Sequence, residues 1–183
     1  MTRLPDLSDD ALSPEQRRIR DEIASGPRGG ARGPFPAMLR SPELAKRAAH
    51  LGEFLRFNTS LPPRLSELAI LVTARAWTAQ YEWYAHAKLA LKGGLAPAVV
   101  DAIAERREPP FEKEDERIVY TFCHELHATH GVSDATYEKT VAAFGERGVV
   151  ELIGLSGYYV MVGMTLNVAQ VQLPEGEPLP LKP

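Results

Sequence analysis

Wound as a helix, GVVELIGLSGYYVMVGMTLN (residues 148–167) is apolar on nearly every side. A helix that is hydrophobic all round has to be covered all round. The stretch ELAILVTARAWTAQYEWYAHA (67–87) makes a similar demand. Two such helices need enclosure by amphipathic helices, by a second subunit, or by both. With 183 residues, 44% of them hydrophobic, the chain is long enough for one domain with a real core.

Helix signals recur along the chain and strand signals are nearly absent. Ser13-Pro14-Glu15 and Ser41-Pro42-Glu43 are start signals, a capping serine followed by proline at the first helical position. They predict helices over 14–25 and 42–57. A third runs from about Glu67 to 92 and stops at Gly93-Gly94. Further helices are expected over 96–107, over 112–131 with an acidic first turn, over 134–145 after Ser133, and over 149–168. The expected fold is all-α, with seven or eight helices. Residues 1–34 read as an N-terminal extension with a Gly/Pro/Arg loop, 35–175 as the helical domain, and 176–183 as an extended Pro-rich tail.

Charge and cysteine content exclude several classes. The net charge is only -3, from 21 basic and 24 acidic residues, so no nucleic-acid footprint is present. The N-terminus lacks the apolar run of a signal peptide. Residues 152–166 fall short of the roughly 20 residues that a membrane span needs. A reduced, cytoplasmic protein without membrane attachment is the expectation. Cys123 is the single cysteine, which excludes a two-cysteine redox mechanism within one chain. The loop GPRGGARGPFPAML (26–39) has no Gly-Lys-Ser/Thr ending and is no phosphate-binding loop. It reads as a wrapping connection, or as a loop whose Arg28 or Arg32 approaches an anionic ligand.

On one continuous helix Arg75, Ala79, Glu82 and His86 form a single stripe. A carboxylate four residues before an imidazole orients it and raises its proton affinity, and such a pair moves protons near neutral pH. The same spacing also occurs on solvated faces. Trp77, Tyr81, Trp83 and Tyr84 supply either pocket walls or core. His124, His127 and His130 invite a metal reading, but together they fan too widely around a helix for one ion. Neither metal nor organic cofactor is expected. Glu151, inside the apolar C-terminal helix, calls for an edge position or a partner such as Arg75.

The segments RLSELAILVTARAWTAQYEWYAHAKLALKGGL and FGERGVVELIGLSGYYVMVGMTLN resemble the carboxymuconolactone decarboxylase family, whose superfamily includes the alkylhydroperoxidase D-like enzymes. The peroxidase branch carries Glu-x11-Cys-x2-Cys-x3-His. Here Glu67 and His86 match that motif, while Ala79 and Glu82 stand at the cysteine positions. Glu82-x3-His86 fits the decarboxylase branch, which has a glutamate at the second cysteine position.

The resemblance implies a cofactor-free lyase of aromatic catabolism, acting on a small carboxylated lactone or ring acid. It assigns His86 as acid/base, Glu82 as its orienting carboxylate and Glu67 as a second relay. Arg75 is expected to anchor the substrate anion with Arg32 as the alternative, and Trp83 and Tyr81 to line the pocket. The family forms symmetric oligomers, so a trimer or hexamer is expected first and a dimer second, with His86 close to a neighbouring chain. The competing reading is a non-catalytic small-molecule binding or assembly protein on the same scaffold.

Overall fold

A computed structural model describes residues 2–27 and 29–182; Arg28 lies outside them. After a short 3-10 turn come eight helices: α1 (Pro14–Ser25), α2 (Phe35–Met38), α3 (Pro42–Phe57), α4 (Pro63–Ala76), α5 (Gln80–Lys92), α6 (Pro97–Ala104), α7 (Glu114–Thr129) and α8 (Asp134–Ala169). Among the described residues no strand forms. The fold is all-α, as expected.

The start signals work in two different ways. Ser13 closes a capping box, accepting from the Gln16 amide while the Gln16 side chain accepts from the Ser13 amide. Ser41 stands at the N-cap of α3, yet its hydroxyl makes no capping bond. There proline at the first helical position carries the start.

Helix α4 is the central rod. Every residue from Leu65 to Arg75 is buried, and the helix packs against α5, α7 and α8. Its polar members are therefore placed among apolar neighbours and must find partners inside the fold. Arg64, at its first turn, pairs with Asp115 at 2.7 Å and with the buried Glu116, both on α7. The extension is part of the packing: α1 lies on α3 and brings Ile19 and Ile23 into the core.

Three expectations change. The stretch 67–87 is two helices, broken at Trp77-Thr78-Ala79, with Thr78 at φ 45. A β-branched residue rarely adopts that conformation. The break is held by Arg75, whose Nη1 donates to Thr78 Oγ1 at 3.0 Å, and by Asn167, whose Nδ2 donates to the Trp77 carbonyl at 2.9 Å. The two C-terminal helices form one long element bent at Gly145, where φ 67 is natural for glycine. Helix α7 ends at Thr129, with His130 rather than Gly131 taking the left-handed cap.

Among the described residues one helix, α8, is long and apolar enough to cross a membrane by length and composition, but 56% of its apolar window is buried inside the fold. A core helix of this kind passes the same test. Glu151 on α8 is paired, though not with Arg75: it accepts from Ser60 and from Arg147 Nε at 2.8 Å.

Candidate active site

The break between α4 and α5 brings residues nineteen apart in sequence face to face. Glu67 comes from α4 and Glu82 and His86 from α5, and all three are buried, at 8%, 2% and 7% exposure. His86 Nδ1 lies 2.6 Å from Glu67 Oε2. His86 Nε2 lies 3.5 Å from Glu82 Oε1. The imidazole is thus held between two carboxylates. Glu67 makes the short hydrogen bond, so Glu67 fixes the ring and its Nδ1 proton, and Nε2 is left on the Glu82 side. Glu67, rather than Glu82, makes the closer contact with the ring.

Glu82 and His86 line a cavity of about 340 Å³. Its other walls come from α3 (Arg56), from α8 (Tyr158, Tyr159), and from the Gly/Pro/Arg loop with Arg32. The loop passes close to the site because Gly33, at φ 65, takes a backbone conformation open to glycine, with Tyr81 against it. A Cβ on Gly33 would stand 3.3 Å from the Tyr81 ring. Arg32 and Tyr81 therefore line the cavity.

Arg56, Tyr158 and Tyr159 carry no motif and were not singled out in the sequence. Tyr159 sets its ring edge-on to His86, 5.1 Å between centroids. Its hydroxyl is buried without a hydrogen-bond partner, and so is Arg56 Nε. Burial pushes the Tyr159 phenol well above its ordinary value; nearby Arg56 opposes this, and Glu82 and Glu67 add to it. Tyr159 is therefore a neutral donor at physiological pH. Two buried, unpartnered donors beside one cavity are what an anionic ligand would satisfy. The sequence signal available for Tyr159 was its place in the Tyr158-Tyr159 pair of the most apolar run. For Arg56 there was none.

Arg75, Trp83, Trp77 and Tyr84 do not line this cavity. Arg75 belongs to a different one, and its Nη2 donates to the Lys182 carbonyl at 2.7 Å. The reason is the helix break, which removes it from the stripe of Glu82 and His86. Trp83 is core, at 4% exposure. Trp77 sits in the turn, and Tyr84 faces the tail, its hydroxyl 3.1 Å from Glu177.

The cysteine positions of the peroxidase motif hold Ala79, at the N-cap of α5, and Glu82. Cys123 is on α7, fully buried, with burial pushing its thiol up to about 12 against a weak opposing contact from Ser156. A thiol in that state is neither nucleophile nor metal ligand. Among the described residues no group of three or more His, Cys, Asp or Glu side chains is arranged to hold a metal ion.

The all-helical scaffold buries one histidine between two carboxylates, beside a cavity with cationic walls, and such groups are capable of proton transfer. Residues 42–116, with Glu67, Glu82 and His86 inside them, match the model of the carboxymuconolactone decarboxylase family. The crystal structure of an alkylhydroperoxidase AhpD core, an uncharacterized peroxidase-related protein from Ralstonia eutropha JMP134, shares the fold with a TM-score of 0.76. The alignment covers 95% of this chain and 93% of that one at 16% identity. No curated protein matches the chain.

Proposed function

We propose that the protein is an acid–base enzyme of the carboxymuconolactone decarboxylase type, releasing carbon dioxide from, or moving a proton on, a small carboxylated lactone or ring acid. The observation that carries this reading is His86 gripped by Glu67 and flanked by Glu82 at the cavity wall. Arg56 and Arg32, rather than Arg75, are the cations at that cavity and take the anchoring role. In decarboxylation the bond to the carboxyl carbon breaks and its electron pair enters a conjugated dienolate. The Tyr159 hydroxyl stabilises that developing oxyanion. His86 Nε2–H then delivers its proton to carbon, and Glu67 holds the ring in place throughout. Solvent restores the proton.

The test is a panel of carboxylated lactones and cyclic keto acids, followed by ultraviolet absorbance and released carbon dioxide, with wild type and His86→Gln. Turnover lost in the variant supports the proposal. Saturable binding without turnover by either protein supports a non-catalytic binding protein instead.

We also infer self-assembly. On α8, Val150, Ile153, Met164 and Val168 are 66%, 50%, 43% and 63% exposed, and they share one face of the helix with Gly157. Leu51 and Phe54 of α3 are exposed as well. An apolar face of this kind suits a second copy of the chain. A trimer or trimer-based assembly is the first expectation and a dimer the second.

A further inference from the structure

A second cavity, of about 250 Å³, lies between α4, α6 and α7 and shares no lining residue with the His86 cavity. Its polar lining is Arg75, Arg106, His124 and His127, with Tyr120; the remainder is aliphatic, and among the described residues no carboxylate lines it.

Arg75 is the informative residue. It is 5% exposed, and among the described residues its Nη groups bond only neutral acceptors, Thr78 Oγ1 and the Lys182 carbonyl. Its buried Nε has no hydrogen-bond partner. A buried guanidinium without a counter-charge is costly unless an anion completes it. Instead of an acid, the fold brings a second guanidinium: Arg106, at φ 56, puts Nη2 3.5 Å from the same Thr78 hydroxyl. Burial, and then the Arg106 charge, pull the Arg75 guanidinium below its ordinary value.

The histidines are fixed rather than loose. The Thr73 hydroxyl donates to the Ala69 carbonyl at 2.9 Å, so towards His127 it acts as acceptor, and His127 Nε2 at 2.9 Å is the donor. His124 stacks on Tyr120, 5.4 Å between centroids.

We propose that this cavity binds a small organic carboxylate with an apolar body. Arg75 and Arg106 supply the charge and the forked donors that a carboxylate accepts. Val72, Ala76 and Ile103 supply a wall for an aryl or short-chain group. That wall is why a bare oxyanion fits less well. The proposal is independent of the chemistry at His86.

Benzoate is the probe, benzamide its uncharged counterpart, and inorganic phosphate the bare anion. Each is titrated into the full chain while the imidazole resonances of His124 and His127 are followed apart from those of His86. Benzoate is expected to move the His124 and His127 signals saturably. Arg106→Gln, at an exposed position, weakens this about tenfold or more, and Arg106→Lys weakens it less. His124→Gln serves as a second variant should Arg106→Gln fail to fold. The proposal is overturned if benzoate leaves the His124 and His127 signals unmoved. It is equally overturned if benzamide or phosphate binds there as tightly, or if both variants bind benzoate like wild type.

Discussion

Glu67 Oε2 and His86 Nδ1 meet at 2.6 Å inside the protein, from two helices that a single continuous helix would have kept apart. Nineteen residues on one helix span close to 30 Å. The Thr78 break folds that distance back, so the strained turn is what builds the site. On the reading proposed above, His86→Gln should cut kcat by about 10² to 10⁴. Glu67→Gln should lower kcat by about 10-fold or more with little change in KM and an altered pH–rate profile, because the imidazole loses the carboxyl group that holds its Nδ1. Equal pH profiles in wild type and Glu67→Gln would sink the positioning role.

Arg56→Gln should act on binding. Its guanidinium borders the His86 cavity with Nε buried and unpartnered, so an anionic substrate gains most from it. A rise in KM of about 10-fold or more is expected, with kcat less affected. Steady-state kinetics on the best substrate from the panel decide it. A KM unchanged in Arg56→Gln returns the anchoring role to Arg32.

The thiol prediction follows from burial alone. With the Cys123 thiol pushed up to about 12, roughly one in 10⁵ is ionised at pH 7. The folded protein should therefore resist thiol-modifying reagents and consume no peroxide through Cys123. Cys123→Ala should leave turnover at the His86 site unchanged and cost about 1 kcal/mol of stability, as small core truncations do. Peroxide consumption that disappears in Cys123→Ala would contradict this.

Much of this was legible in the sequence. The two proline-led helix starts, the Gly93-Gly94 stop and the all-α fold follow from capping and periodicity; spacing pairs Glu82 with His86, and Glu67 comes from the motif of the family the sequence resembles. What was not legible depended on one turn. Nothing in Ala76-Trp77-Thr78-Ala79 signals a break, since none is glycine or proline, and tertiary bonds from Arg75 and Asn167 impose it. Once the helix is taken as continuous, Arg75 joins the wrong stripe. Arg56 and Tyr159 were hidden for a related reason: each reaches the cavity from an element remote in sequence.

Acid should act on the α4–α7 clamp. The Arg64 hydrogen bonds hold the Asp115 carboxyl below its ordinary value, against a smaller effect of burial. A depressed folded-state value means stability that is present above the unfolded value, near pH 4, and is lost as pH falls through the folded one. Wild type should therefore lose this part of its stability below about pH 4, and Asp115→Asn should lack that component. Arg64→Ala strands the buried Glu116 with only Lys113, at 3.6 Å, and should cost about 3 kcal/mol at neutral pH. Thermal melts from pH 3 to pH 7, in about one-unit steps, compare the three proteins. A parallel pH dependence in wild type and Asp115→Asn would rule the clamp out as the source.

The last prediction concerns assembly. Helix α8 was expected to be covered on every side, and within one chain it is not. Leu152, Leu155, Tyr159, Val162 and Leu166 are buried, while Val150, Ile153, Met164 and Val168 look outward. Gly157 flattens the outward side, where a Cβ would meet nothing within 4 Å. Leaving large aliphatic side chains in water forgoes up to about 1.5–3 kcal/mol each, so a partner surface that covers several of them gains enough to drive association. Ile153→Arg places a charge in the middle of that face without touching the core. Light scattering at low micromolar concentration should find an oligomer for wild type and a smaller species for Ile153→Arg, with helical content unchanged. The same helix also reaches the site, because Tyr158, Tyr159, Val162 and Leu166 on its buried side line the His86 cavity. If assembly shapes the pocket, Ile153→Arg should lose activity along with mass; if the monomer retains full activity, the cavity is complete in one chain. A monomeric wild type would remove the assembly proposal altogether.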